Sequence, residues 1–251
     1  MRELNHPAQN AGVDLEVSRF SLYTLKNVGW RPSSVIVTPT GPQRSFRRRR
    51  FSLFLNLVDQ VLSTQGTCRI LDIGGEPDYW ADVEDMIGRR RWHVTLLNLT
   101  TFPVEDARFA SMAGDARDIG SFGDMSFDLV HSNSVIEHVG SWHDMKAMAH
   151  EVQRLAPRYF IQTPYFWFPV EPHNSTLFFH WIPESVRVSL LMRRPRGRWG
   201  QARDVDTAMR LIQSAVLLDF RMLATLFPDA TIHRERIFGF TKSLVAIRTR
   251  I

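Results

Sequence analysis

The chain has 251 residues, is 44% hydrophobic and carries a formal net charge of +5. No apolar run approaches the roughly eighteen residues of a membrane-spanning helix, and Cys68 is the only cysteine, which excludes an intramolecular disulfide and a cysteine-built metal cluster. This length suits one sizeable α/β domain with additions. No secretory signal is recognised at its head, so a cytoplasmic location is expected.

The positive charge is almost all arginine, 28 Arg against 3 Lys. Two clusters stand out, Arg44 with Arg47 to Arg50, and Arg187, Arg193, Arg194, Arg196, Arg198 and Arg203. Such groups meet phosphates, nucleic acid or an anionic membrane, or form a solvated basic face.

In chain order, residues 1–43 read as an irregular arm. A helix over 43–63 follows, with Phe46, Phe51, Phe54, Leu55, Val58 and Leu62 on one face. Alternation begins there: strand 68–73, helix 78–91, strand 93–98, short strand 109–113, strand 127–132, helix 141–155 and strand 159–163. Ser141 and Asp144 form the predicted capping box of the 141–155 helix. Residues 164–200 break the pattern with five prolines and many aromatics, too apolar for a linker. A helix over 204–227 and two pairing strands, 230–237 and 241–249, close the chain. Strands alternating with helices predict a parallel sheet with crossover helices. The expected organisation is an arm and cap helix over 1–64 and a main domain over 65–251.

The most informative stretch is 69–78, which contains Leu71-Asp72-Ile73-Gly74-Gly75. A strand, a glycine turn and a helix there form the entry to a nucleotide-type pocket. Gly114-Asp115-Ala116 follows the third strand, Phe127-Asp128-Leu129-Val130 opens the fourth, and Asn133-Ser134-Val135-Ile136-Glu137-His138-Val139 leaves it. Together these motifs resemble the class I S-adenosyl-methionine-dependent methyltransferases, of the small-molecule type with a Glu-His pair after strand four. The resemblance implies a Rossmann-like, mostly parallel seven-stranded sheet with helices on both faces, and S-adenosyl-methionine as cofactor. It assigns cofactor contacts to Asp72, Gly74, Gly75, Asn98, Asp115, Ala116 and Asn133. Two positions depart from the family pattern: Glu76 stands where a glycine is usual, and Asn98 where an acid binds the ribose.

On the acceptor side, His138 beside Glu137 is the candidate base for a hydroxyl, since imidazole titrates near neutrality. His173, in the insertion after strand five, is the second candidate. No metal is expected: the acids and His138 should face different parts of one cofactor, and His138, His143 and His150 form no i, i+4 pair. The aromatic 164–200 insertion reads as a pocket wall or lid, as a hydrophobic subcore, or as a membrane-dipping face. The expected activity is methyl transfer to a small molecule or a glycan or lipid-linked precursor, on oxygen, with peripheral membrane contact as an option. The rivals are an RNA methyltransferase, suggested by arginine, and a non-catalytic binding protein that kept the fold.

Overall fold

The computed structural model describes residues 42–249. Most of the predicted arm, and the Arg44 side chain, lie outside the described residues.

The described chain runs α1 (Pro42–Gln65), β1 (Cys68–Ile73), α2 (Pro77–Ala81), α3 (Glu84–Ile87), β2 (Trp92–Asn98), β3 (Phe109–Ala113), β4 (Leu129–Asn133), α4 (Trp142–Leu155) and β5 (Tyr159–Pro164). Then come α5 (Glu184–Arg193), α6 (Val205–Ile212), α7 (Phe220–Leu226), β6 (Thr231–Ile237) and β7 (Phe240–Arg248). One seven-stranded sheet has the order β3-β2-β1-β4-β5-β7-β6. The first five strands pair in parallel, and β7 runs antiparallel between β5 and β6.

β1 explains why the sheet is covered on both sides. Cys68 and Ile70 point into a cluster with Phe51, Phe54, Val58 and Val61 of α1 and Trp80 of α2. Leu71 and Ile73 point into the opposite cluster, with Met145, Met148 and Val152 of α4 and Leu223 of α7. A strand buried on both faces is mostly apolar, and this one is so apart from the exposed Arg69 and the buried Asp72. Burial of each large side chain contributes about 1.5–3 kcal/mol. The predicted capping box is formed, with Ser141 accepting from the Asp144 amide and Asp144 accepting from the Ser141 amide.

Two predicted helices are each split. The 78–91 helix is two short pieces, because Val83 leaves helical geometry (φ −118°) as its side chain enters the core. The 204–227 helix is α6 and α7, and a separate aspartate caps each. The Asp204 carboxylate accepts from the Thr207 amide, and that of Asp219 from the Met222 amide. The segment between them, 213–219, turns toward the ends of the central strands.

The insertion has a core of its own. Phe179, Leu191 and Trp199 pack with Ala208, Leu211 and Ile212 of α6. Gly197 locks its return: at φ +56°, a Cβ there would stand 1.7 Å from the Asn174 carbonyl oxygen. The Arg198 amide donates to that same oxygen at 2.9 Å.

Cys68 is fully buried, and burial pushes its thiol pKa up to about 12. With an ordinary thiol near 8.5, the thiolate population should fall by roughly 10³-fold. Native protein is expected to react with a disulfide reagent at least ~100-fold more slowly than urea-unfolded protein, as timed by thiol absorbance assay.

Candidate functional site

The parallel register brings the carboxyl ends of the strands to one edge. Ile73 pairs with Leu97, Asn98 with Ala113, Ile73 with Ser132, and Asn133 with Gln162. The chain order reverses between β1 and β4, so the crevice opens there. Gly74, Gly75, Asn98, Asp115, Ala116 and Asn133 therefore share one edge.

The glycine turn is tight. Gly74 adopts φ +74°, and a Cβ would meet Val135 Cγ2 at 2.3 Å. A Cβ on Gly75 would meet Asp72 Oδ2 at 2.4 Å. Gly74 is required by the packing of the turn on Val135 and Gly75 by its packing on Asp72 and Leu96, and the turn leaves bare backbone lining the crevice.

Asp72 is placed differently from its expectation as a cofactor contact. Its side chain is 3% exposed. His131 Nδ1 lies 2.6 Å from Oδ1, and Trp80 Nε1 donates to Oδ2 at 2.8 Å. The Tyr79 hydroxyl stands 3.4 Å from His131 Nε2. Asp72 is the anchor of a buried polar chain, with both oxygens spent. Asn98 is also partly spent, accepting from the Leu99 amide at 2.8 Å and donating to the Gly75 carbonyl at 3.3 Å. It ties the end of β2 to the glycine turn. Asp115 is half-buried, and the Arg117 guanidinium holds its carboxyl below the usual carboxylate range, against the opposing effect of burial. Ala116 packs beside it on the core that carries α4.

Arg50 of α1 was not singled out by sequence, since four consecutive arginines look alike. It reaches across the strand ends, donating to Asn133 Oδ1, to Gln162 Oε1 at 2.7 Å and to Glu235 Oε1 at 2.9 Å. Its neighbours Arg47 and Arg48 pair with Asp82 and Asp85. Much of the first arginine cluster is thereby consumed within the molecule, whereas Arg193, Arg194, Arg198 and Arg203 are exposed.

Beyond β4 and β5 a second group converges. Glu137 and His138 follow β4, and His173 comes from the insertion; one ligating atom of each lies within 4.8 Å of the others. The His138 and His173 rings meet edge to face at 4.9 Å. His138 Nδ1 lies 2.7 Å from the Ser214 carbonyl, and His173 Nδ1 lies 2.8 Å from Glu171 Oε1. A carbonyl and a carboxylate accept, so both imidazoles carry their proton on Nδ1 and leave Nε2 as the basic nitrogen. Glu137 is 1% exposed; Thr163 donates to its Oε2 at 3.0 Å, while Oε1 is buried with no hydrogen-bond partner. Burial pushes the Glu171 carboxyl up, but hydrogen bonds from the His173 side chain and from the Asn174 and His173 amides outweigh it and hold it below the usual range.

A cavity of about 240 Å³ adjoins this group, with His173 and Ser214 in its wall. Phe166, Phe179, Trp199 and Leu217 give it apolar surface. His180 and Arg187 also line it, and His180 Nδ1 and Arg187 Nε are buried without partners. Burial keeps the pKa of both below its ordinary value.

Residues 84–157 match the family described as a methyltransferase domain. No curated protein matches the chain. Among solved structures, a SAM-dependent methyltransferase from Methanosarcina mazei is 15% identical, with a TM-score of 0.47 over 78% of this chain and 95% of that one. The N-terminal domain of EvdMO1, with SAH bound, is 14% identical, with a TM-score of 0.47 over 82% of this chain and 81% of that one. A SAM-dependent methyltransferase from Aquifex aeolicus is 10% identical, with a TM-score of 0.46 over 85% and 96%.

The buried chain makes a stability prediction. Asp72→Ala leaves the Trp80 and His131 donors without partners, each costing about 1–3 kcal/mol. Urea denaturation should show a loss of about 2–6 kcal/mol. Unchanged stability combined with lost cofactor affinity would return Asp72 to the cofactor.

Proposed function

We propose that this chain is a class I S-adenosyl-methionine-dependent methyltransferase and that it methylates a hydroxyl oxygen of a small molecule or a glycan or lipid-linked precursor. The observation that carries this reading is the Glu137, His138 and His173 group beside a cavity at the carboxyl edge of the sheet.

The residues present fit the cofactor. The Gly74-Gly75 turn has no room for a Cβ and offers backbone, and Asn98 and Asp115 offer acceptor oxygens at the neighbouring strand ends. Gly74, Gly75, Asn98, Asp115, Ala116 and Asn133 would hold it. When bound, it supplies a methyl group on a positive sulfonium, an electrophile already activated. The protein's own work is alignment and management of the acceptor's proton. A hydroxyl in the cavity would face imidazoles whose Nε2 atoms are basic, next to a buried carboxylate. His180 and Arg187 offer polar contacts, and the aromatic walls offer apolar surface.

His138→Ala should lower turnover by roughly 10²–10⁴-fold while leaving S-adenosyl-methionine affinity nearly unchanged. Calorimetry and a product-release assay across a panel of hydroxylated acceptors check both. Full turnover in the variant would remove the group from the reaction.

A specific observation favours the lipid-linked acceptor. Trp167, Leu177, Phe178 and Trp181 of the insertion are exposed, and Trp181 contacts Phe178 and Trp167 at 5.0 and 5.9 Å between ring centres. Aromatic residues near exposed arginines suit a membrane interface. Flotation with anionic vesicles should recover the protein, and Trp167→Ala with Phe178→Ala should reduce that recovery several-fold. Equal behaviour with neutral and anionic vesicles would oppose the reading.

A further inference from the structure

We infer that Glu137, His138 and His173 form a binding site for one divalent transition-metal ion of zinc's class, open toward the acceptor cavity. This rests on the preceding reading of the cavity as the acceptor site, and it replaces the imidazole base there with a metal-bound hydroxyl, since both Nε2 lone pairs then go to the ion.

Three observations converge. One ligating atom from each residue lies within 4.8 Å of the others, from two loops 35 positions apart in sequence (138 and 173). Each imidazole has Nδ1 against an acceptor, the Ser214 carbonyl at 2.7 Å and Glu171 Oε1 at 2.8 Å. That is how metal-binding histidines are generally held: the outer hydrogen bond fixes the tautomer, orients the ring and makes Nε2 a better donor. Finally, Glu137 Oε1 is a buried oxygen with no hydrogen-bond partner. An oxygen in that position costs free energy unless something meets it, and a cation would.

The donor set selects the ion. Two neutral imidazole nitrogens and one carboxylate suit zinc, cobalt or iron(II), whereas magnesium and calcium prefer oxygen ligands throughout. Three protein ligands leave a position open, as catalytic zinc sites do. The cavity wall formed by His173 and Ser214 puts that side toward the acceptor. A hydroxyl oxygen reaching the cation becomes more acidic and gives its proton to water. Its electron pair then forms the bond to the methyl carbon, and the pair of the breaking carbon–sulfur bond stays on sulfur. The sequence expectation of no metal rested on the acids and His138 facing different parts of one cofactor, and on the lack of an i, i+4 pair among His138, His143 and His150. Here one ligand comes from a loop that only the insertion's fold brings close.

The test uses the full chain, stripped with a chelator and titrated with Co²⁺ alone. One Co²⁺ per chain should bind, with a visible ligand-field spectrum of low coordination number, and Zn²⁺ should displace it. His173→Ala and Glu137→Ala should each weaken Co²⁺ binding by at least ~100-fold, and Glu171→Gln, an outer partner, by about 10–100-fold. Should the variants fail to fold, stoichiometric displacement of Co²⁺ by Zn²⁺ in the unaltered chain decides the matter. Absence of Co²⁺ binding there, or unchanged binding in all folded variants, overturns the inference. Methyl transfer that survives chelation, yet is lost in His138→Ala, would overturn the metal and leave the proposed activity standing. Metal bound at these residues without any hydroxyl methylation would do the reverse.

Discussion

A single buried carboxylate organises this fold. Asp72 lies opposite His131 in the β1–β4 register, and a hydrogen bond joins the two side chains across the central strand pair. Its other oxygen holds Trp80, in the short helix that follows the glycine turn. Trp80 in turn packs edge-on against Phe51 and Phe54 of α1. One acidic group thus fixes the two strands flanking the crevice, the short helix that leaves it and the long helix behind it. Burying a charge is costly unless its hydrogen bonds are made, and that cost makes the arrangement specific: a slipped register would leave the carboxylate unpaired.

The same constraint governs the crevice. With Asp72 against Gly75, and Val135 against Gly74, the loops after β1 and β4 approach until only hydrogen fits between them. The proposed cofactor side is therefore built mainly from backbone and strand ends. The proposed acceptor side is built from side chains on the loop after β4, the insertion and the 213–217 segment. The Val216 amide, donating to the Glu137 carbonyl at 2.7 Å, links two of these loops directly.

The sheet was legible in the sequence because its signals are local. Apolar strands such as 68–73 and the Ser141 capping box announce themselves within a few residues. Asp219 was equally local, yet it lay inside a periodic apolar stretch, and one long helix absorbed it. The buried partners of Asp72 were not legible for a different reason. Its position in the motif is visible in sequence, but its partners His131 and Trp80 are defined only once strands pair. Arg50 and the meeting of Glu137 with His173 depend on tertiary structure alone. No spacing encodes a contact between loops whose separation the insertion's core decides.

That core bears on how the pocket can change. Gly197 lies on the surface, yet its missing side chain is what lets the returning chain rest on the Asn174 carbonyl. The neighbouring Asn174 amide is held by Glu171 at 2.5 Å, and Glu171 holds His173. A solvent-facing glycine is thus mechanically continuous with the acceptor-side imidazole. In a survey of tolerated substitutions it would resemble an interior position, and acceptor preference would diversify through the cavity's aromatic walls, leaving this seam unaltered.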